Sequence, residues 1–313
     1  ELGDSKEGMK MDTNWLAPRM ADLGTNAIRE ILKVVGQPGM ISLAGGIPAP
    51  ESFPLDLIEA LTREALSVFG AGALQYDTTE GFGPLREALV AYLAAQGVES
   101  AAADILIASG SQGVLDGIGK VCIGRGDAVA VEAPTYLGAL QAFSPYGPRY
   151  LPLVTDEDGV LPEALEMLLR RHKVKLIYLV PTFQNPTGRT LSLARRKAIA
   201  DLIQAHDVLL VEDDPYSALR YRGDRLPPIQ SLAPDHVAYI STLSKVFAPG
   251  LRIGFVVAPQ RIRHALVKVK QGVDLHTSTM GQALAAVYLA GGHLQNHIPR
   301  ILELYRPRQA AML

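Results

Sequence analysis

The stretch Tyr239-Ile-Ser-Thr-Leu-Ser-Lys-Val-Phe-Ala-Pro-Gly-Leu-Arg-Ile-Gly254 decides the fold. Two apolar runs overlap its ends, Val237 to Thr242 and Arg252 to Ala258, and both read as strands buried on two faces. The connection from Thr242 to Arg252 is too short for a crossover helix, so these strands run antiparallel. Lys245 stands between them in a hydroxyl-rich turn. Burial among Val246, Phe247 and Leu251, and repulsion from Arg252, both lower an ammonium's pKa toward that of a free amine, a nucleophile for carbonyls. Taken alone, a Ser-Lys pair is better explained as a solvated surface loop, so the weight falls on the rest of the chain.

Upstream, five more β-rich runs alternate with helical segments: Ile105 to Ser109, Ala128 to Ala133, Tyr150 to Val154, Leu176 to Pro181 and Val208 to Asp213. The helices include Pro84 to Gln96 and Pro162 to Lys173, each with proline in the first turn, and Ser192 to His206 with a serine cap. This alternation predicts an α/β fold of three layers, a mainly parallel, doubly wound seven-stranded sheet with one antiparallel strand. In such sheets ligands bind outside the strand C-termini, where Lys245 lies. Residues 1–54 read as an N-terminal arm. It carries an amphipathic helix, Asn26 to Val35, with Ile28, Ile31, Leu32 and Val35 on one face and Arg29 on the other. Ile41 to Pro54 is irregular, either a linker or a place where backbone approaches a ligand. A helix over 55–68 opens the large domain, 55–293.

Composition narrows the function classes. A chain of 313 residues, 48% apolar, has enough apolar mass for a sizeable core, and a net charge of -2 offers no basic field to nucleic acid or a membrane surface. Cys122 is the sole cysteine, which excludes a disulfide framework, points to a reducing compartment and reads as a small buried hydrophobe. No apolar run has the length of a membrane span, and the charged segment Glu1 to Lys10 is not a signal peptide, so a cytoplasmic protein is expected. Nucleotide motifs fail: no P-loop spacing and no Gly-x-Gly-x-x-Gly. No metal is expected.

Several weak signals end at the same sheet edge. Ser109-Gly-Ser111-Gln112-Gly113 is a strand, a small-residue turn and a helix N-terminus suited to phosphate, although many such turns bind nothing. Pro134-Thr-Tyr136 puts an aromatic ring at a strand end, equally a core or rim tyrosine by itself. Asn185-Pro-Thr-Gly188 is ordinary turn chemistry when isolated. Glu212-Asp213-Asp214-Pro-Tyr216 closes an apolar strand with carboxylates, and a buried carboxylate needs a partner. Together they describe a ligand with a phosphate, a flat ring, a basic ring nitrogen and an aldehyde. Ser111, Gln112, Thr242, Ser244 and Arg252 take the phosphate, and the ring stacks on Tyr136. Asp213 keeps the ring nitrogen protonated, Asn185 and Tyr216 serve the ring hydroxyl, and Lys245 takes the aldehyde. That ligand is pyridoxal 5'-phosphate (PLP).

The segments Ser-Lys-Val-Phe-Ala-Pro-Gly-Leu-Arg-Ile-Gly, Phe-Gln-Asn-Pro-Thr-Gly, Glu-Asp-Asp-Pro-Tyr, Ser-Gly-Ser-Gln and Leu-Gln-Tyr-Asp-Thr-Thr-Glu-Gly resemble the class I aminotransferases of PLP fold type I. The nearest likeness is to the 2-aminoadipate and kynurenine aminotransferase group, and it runs from residue 14 to 313 in the family's order. It implies a homodimer in which Tyr76 reaches the neighbouring subunit's phosphate, and a substrate side faced by Asn26, Arg29, Gly45 and Gly46. For Arg29 an exposed helical arginine is an equal reading. It also implies a small domain, incomplete here, of which residues 294–313 are the start. The family's arginine for the substrate α-carboxylate lies beyond Leu313, and no arginine of this sequence matches that role.

The expected reaction moves an amino group from a 2-aminoadipate-like, aromatic or branched amino acid to a 2-oxo acid such as 2-oxoglutarate. Lys245 removes the Cα proton and Asp213 holds the ring nitrogen protonated. A PLP lyase or synthase of the same fold would share these residues. The ligand-sensing half of a transcription regulator would want a winged helix-turn-helix, for which residues 1–54 are too short, too proline-rich and not basic enough. The sequence leaves the physiological donor undefined.

Overall fold

The computed structural model describes residues 15, 17–20, 39 and 46–313. The helix expected over Asn26 to Val35, and the positions Asn26, Arg29 and Gly45, lie outside the described residues. Seven strands form the main sheet: β1 (Ile105–Ser109), β2 (Ala128–Glu132), β3 (Arg149–Leu153), β4 (Val174–Leu179), β5 (Leu209–Asp213), β6 (Val237–Thr242) and β7 (Ile253–Val257). Their spatial order is β1-β7-β6-β5-β4-β2-β3. Strand β7 is antiparallel to both β6 and β1, and every other pairing is parallel. The short link after Thr242 thus makes the one reversal expected of it.

Strand ends differ from the sequence pattern where backbone chemistry intervenes. The run ending at Pro181 stops pairing at Leu179, since proline has no N–H for a ladder. Arg252 precedes β7 rather than opening it. Its φ of 55° puts it in the left-handed region, and its carbonyl accepts from Gly110 N–H at 2.9 Å, which ties the turn before β7 to the turn after β1.

Nine helices of the described chain flank the sheet: α1 (Leu55–Phe69), α2 (Gly83–Gln96), α3 (Gly110–Cys122), α4 (Leu137–Phe143), α5 (Pro162–Arg171), α6 (Leu193–Ala205), α7 (Gln260–Gln271), α8 (Thr279–Ala290) and α9 (His293–Met312). Strand alternation divides the layers. On β4, Leu176 and Tyr178 face the core filled by α3, α4 and α7, while Ile177 and Leu179 face the side covered by α5 and α6. The opposite end of that second side is closed by α1, α2 and α8 against Ile105, Ile107 and Phe255. Helix α8 buries residues around its whole circumference, as befits a helix apolar on all sides.

One buried charge organises the loop that carries Asn185. Arg196 on α6 is 1% exposed and donates to Pro181 O at 2.8 Å, Thr182 Oγ1 at 2.8 Å and Leu191 O at 3.0 Å, pinning both stems of that loop. Glu212 faces it at 4.0 Å and accepts from the Ile229 and Gln230 amides at 3.0 and 2.8 Å. Such a fully bonded pair adds little net stability but fixes one geometry. Among the described residues, no helix is long and apolar enough to cross a membrane.

Candidate active site

The C-terminal ends of β1, β2, β4, β5 and β6 converge on one cavity. Its walls include Ser111 and Gln112 from the start of α3, Tyr136 after β2, and Asn185 after β4. Asp213 and Tyr216 come from the end of β5, and Thr242, Ser244, Lys245 and Arg252 from the link between β6 and β7. Gly46 also lines the cavity. Ten residues read from five separate segments are therefore brought together, with Gly46 beside them.

At one end the site is built for an anion. Helix α3 begins at Gly110, so the amides of its first turn have no intrahelical partner. Arg252 donates to Ser109 O at 3.4 Å and Pro249 O at 3.3 Å, which parks its guanidinium beside that turn. The fit depends on glycine. Gly110 has φ of 77°, and a Cβ there would overlap the Arg252 guanidinium, while a Cβ on Gly254 would overlap the backbone of Gly110 and Ser111. Thr242 Oγ1 donates to Ile253 O at 2.8 Å and accepts from Ser244 N–H at 3.1 Å, so this hydroxyl braces the link. Gln112 turns its side-chain amide to Gly138 O at 2.7 Å, which leaves its backbone rather than its side chain for an anion.

At the other end sits a carboxylate. Asp213 is 3% exposed; its Oδ2 accepts from the Tyr178 hydroxyl at 2.8 Å, and its Oδ1 is buried with no partner. Burial, reinforced by neighbouring Asp214 and opposed by the Tyr178 bond, pushes its pKa up to about 7. A buried acceptor of this kind calls for an N–H donor, best a cationic one. Between the two ends, Asn185 Nδ2 donates to Tyr216 Oη at 3.4 Å, and burial raises the Tyr216 pKa. Lys245 Nζ donates to Gly46 O at 3.1 Å, and burial together with the Arg252 charge holds its pKa below the usual lysine value.

Tyr76 stands apart. It is 77% exposed, meets His276 edge-on at 5.6 Å between ring centres, and lies off this cavity on a surface it shares with Leu74. Two buried polar residues behind the site were not singled out from the sequence. Tyr178 is fully buried in β4, and Glu132 ends β2 with its carboxylate on Val180 N–H at 2.9 Å and its pKa raised by burial to about 7. The signal for Tyr178 was available: a phenol inside a strand buried on both faces must find a partner. Among the described residues no group of His, Cys, Asp and Glu could hold a metal.

Asp213 Oδ1 calls for a cationic N–H, the first turn of α3 for an anion, and Lys245 for a carbonyl. Pyridoxal 5'-phosphate carries all three on one ring, the residues present fit it, and a sheet of this order around it is the architecture of the fold type I enzymes. Within that class, residues 39–307 match the family "Aminotransferase class I and II", and the chain belongs to it. It is 44% identical over 306 residues to aromatic-amino-acid aminotransferase 1 of Thermococcus litoralis, covering 96% of this chain and 73% of the relative. It is 40% identical to the 2-aminoadipate transaminase of Thermus thermophilus, over 92% of this chain and 72% of that one. A crystal structure of Pyrococcus horikoshii kynurenine aminotransferase, in complex with PMP, superimposes with a TM-score of 0.90 at 43% identity, covering 95% of this chain and 75% of that chain. The chain is a PLP-dependent aminotransferase.

Proposed function

We propose that the cavity transfers the amino group of an aromatic or 2-aminoadipate-like amino acid to a 2-oxo acid such as 2-oxoglutarate. The observation that carries this reading is the pairing of a desolvated Lys245 with the unpartnered, buried Asp213 Oδ1 in one cavity. When bound, PLP supplies an electron sink for the carbanion formed at the substrate Cα. Arg252 and the α3 amides hold the phosphate, and Tyr136 supports the ring face. Asp213 keeps a proton on the ring nitrogen, while Asn185 and Tyr216 donate to the ring hydroxyl. Lys245 would hold the cofactor at its aldehyde, and its Nζ, once free, would take the Cα proton. Burial and the Arg252 charge lower its pKa, which favours the neutral amine that a base requires.

The substrate side is assigned to Gly46 and, outside the described residues, to Asn26, Arg29 and Gly45. The names of the relatives at 44% and 40% identity support aromatic and 2-aminoadipate donors. A panel of tyrosine, phenylalanine, kynurenine, 2-aminoadipate and leucine with 2-oxoglutarate as acceptor tests this. Glutamate should form with at least one aromatic or 2-aminoadipate donor, and turnover with none of them would refute the substrate assignment.

The active unit is assigned as a homodimer in which Tyr76 completes the partner's phosphate site. Exposure of Tyr76 at 77%, Leu74 at 73%, Val273 at 59% and Leu275 at 46% supports an apolar contact surface. Mixing inactive Lys245→Ala chains with Tyr76→Ala chains should then yield hybrid dimers with one intact site and regained activity. No gain above the sum of the separate variants would count against a shared site.

A further inference from the structure

Resting on the reading of Asp213 as partner of the cofactor's ring nitrogen, we propose that Tyr178 is the positioning residue for that carboxylate. Its hydroxyl holds Oδ2 and thereby keeps Asp213 ionised with Oδ1 aimed at the ring nitrogen. Strand pairing dictates the meeting. Tyr178 on β4 is in register with Val211 on β5, and side chains alternate along a strand, so Asp213 lies on the same face as Tyr178 one pleat further on. The hydroxyl reaches Oδ2 at 2.8 Å, the one side-chain hydrogen bond Asp213 makes among the described residues. The Phe143 ring meets Tyr178 edge-on, at 6.0 Å and 80°, which fixes the phenol.

A phenylalanine would pack against Phe143 equally well and would bring no hydroxyl to bury. The phenol oxygen earns its place only through Asp213. Donation to a carboxylate favours its charged form, and here it works against burial and against Asp214 on the same strand end. The other titratable groups nearby are Tyr136 and Tyr216, which feel the Asp213 charge, and Glu132 behind Tyr178; Lys245 and Arg252 stand on the cavity wall. Without the hydroxyl, the proton shared between Asp213 and the ring nitrogen moves toward the carboxylate. The ring then loses its positive charge while the anion site and Lys245 are untouched.

The test compares wild-type protein with Tyr178→Phe and with 3-fluorotyrosine placed at position 178, each loaded with PLP labelled with ¹⁵N in the ring. Tyr178→Phe should lower kcat on the order of ten- to hundred-fold, the scale of one hydrogen bond to a charged group, with KM and PLP affinity nearly unchanged. Its ¹⁵N resonance should move toward that of a neutral pyridine. Fluorotyrosine, a stronger donor, should leave the nitrogen at least as fully protonated as in wild type. Normal turnover and an unmoved ¹⁵N signal in Tyr178→Phe would overturn the proposal. If Tyr178→Phe does not fold, the fluorotyrosine protein decides, since a resonance moved toward neutral pyridine there also overturns it. A wild-type nitrogen that is unprotonated at neutral pH instead refutes the reading of Asp213, and the inference with it.

Discussion

Lys245→Ala should lower kcat by on the order of 10⁴-fold or more, because one side chain supplies both the amine that binds the aldehyde and the base that takes the Cα proton. The substitution removes no part of the anion cradle: Arg252 stays hydrogen bonded to Ser109 O and Pro249 O, and the first turn of α3 is unchanged. PLP should therefore still bind, held by its phosphate end, and equilibrium dialysis would detect it. The loss should lie in kcat, since KM reports groups that stay in place. Steady-state kinetics with the best donor of the panel checks this, and turnover within tenfold of wild type would mean that another group is the base.

Asp213→Asn is expected to have the second largest effect, and it acts in opposite senses on activity and stability. Loss of the anionic partner at the ring nitrogen should cost kcat on the order of 10²- to 10³-fold, the scale of a missing charge partner in a water-excluded site. The cofactor-free protein should gain stability at pH 8. Asp213's pKa in the fold, about 7, lies above the ordinary aspartate value of 3.8, so the protonated carboxyl is favoured in the native state. Its ionisation in the fold is a penalty that sets in as pH rises above 3.8 and is complete above about 7. Asparagine removes that penalty, worth about 2–4 kcal/mol at pH 8 and vanishing near pH 4. Thermal melts of the cofactor-free proteins at the two pH values check the sign. A destabilised variant at pH 8 would show that Asp213 is not held ionised against burial.

The sheet edge was legible because the chemistry-bearing residues sit in turns that directly follow apolar strands. Lys245, Asp213, Asn185, Ser111 and Tyr136 each stand at or just past such a run, and a parallel sheet must deliver such turns to one side. The reversal before β7 was legible from loop length alone. Pairings that depend on register and depth were not. Whether Tyr178 meets Asp213 depends on which residues of β4 and β5 are neighbours, a tertiary fact carried by no local pattern. The left-handed Arg252 was read as a strand residue because its sequence neighbours are apolar, whereas its carbonyl is claimed by Gly110 across the sheet. Tyr76, which family resemblance assigns to the neighbouring subunit's phosphate, lies off the cavity of its own chain, and no local pattern in the sequence carries that placement.

Borohydride reduction of the PLP-loaded protein would reveal whether Lys245 is the residue that carries the cofactor. After reduction, digestion and mass mapping, the cofactor's mass should be fixed on the peptide that contains Lys245, in a ratio approaching one per chain. Its appearance on a different lysine, or on no peptide at all, would rule out Lys245 as the attachment point.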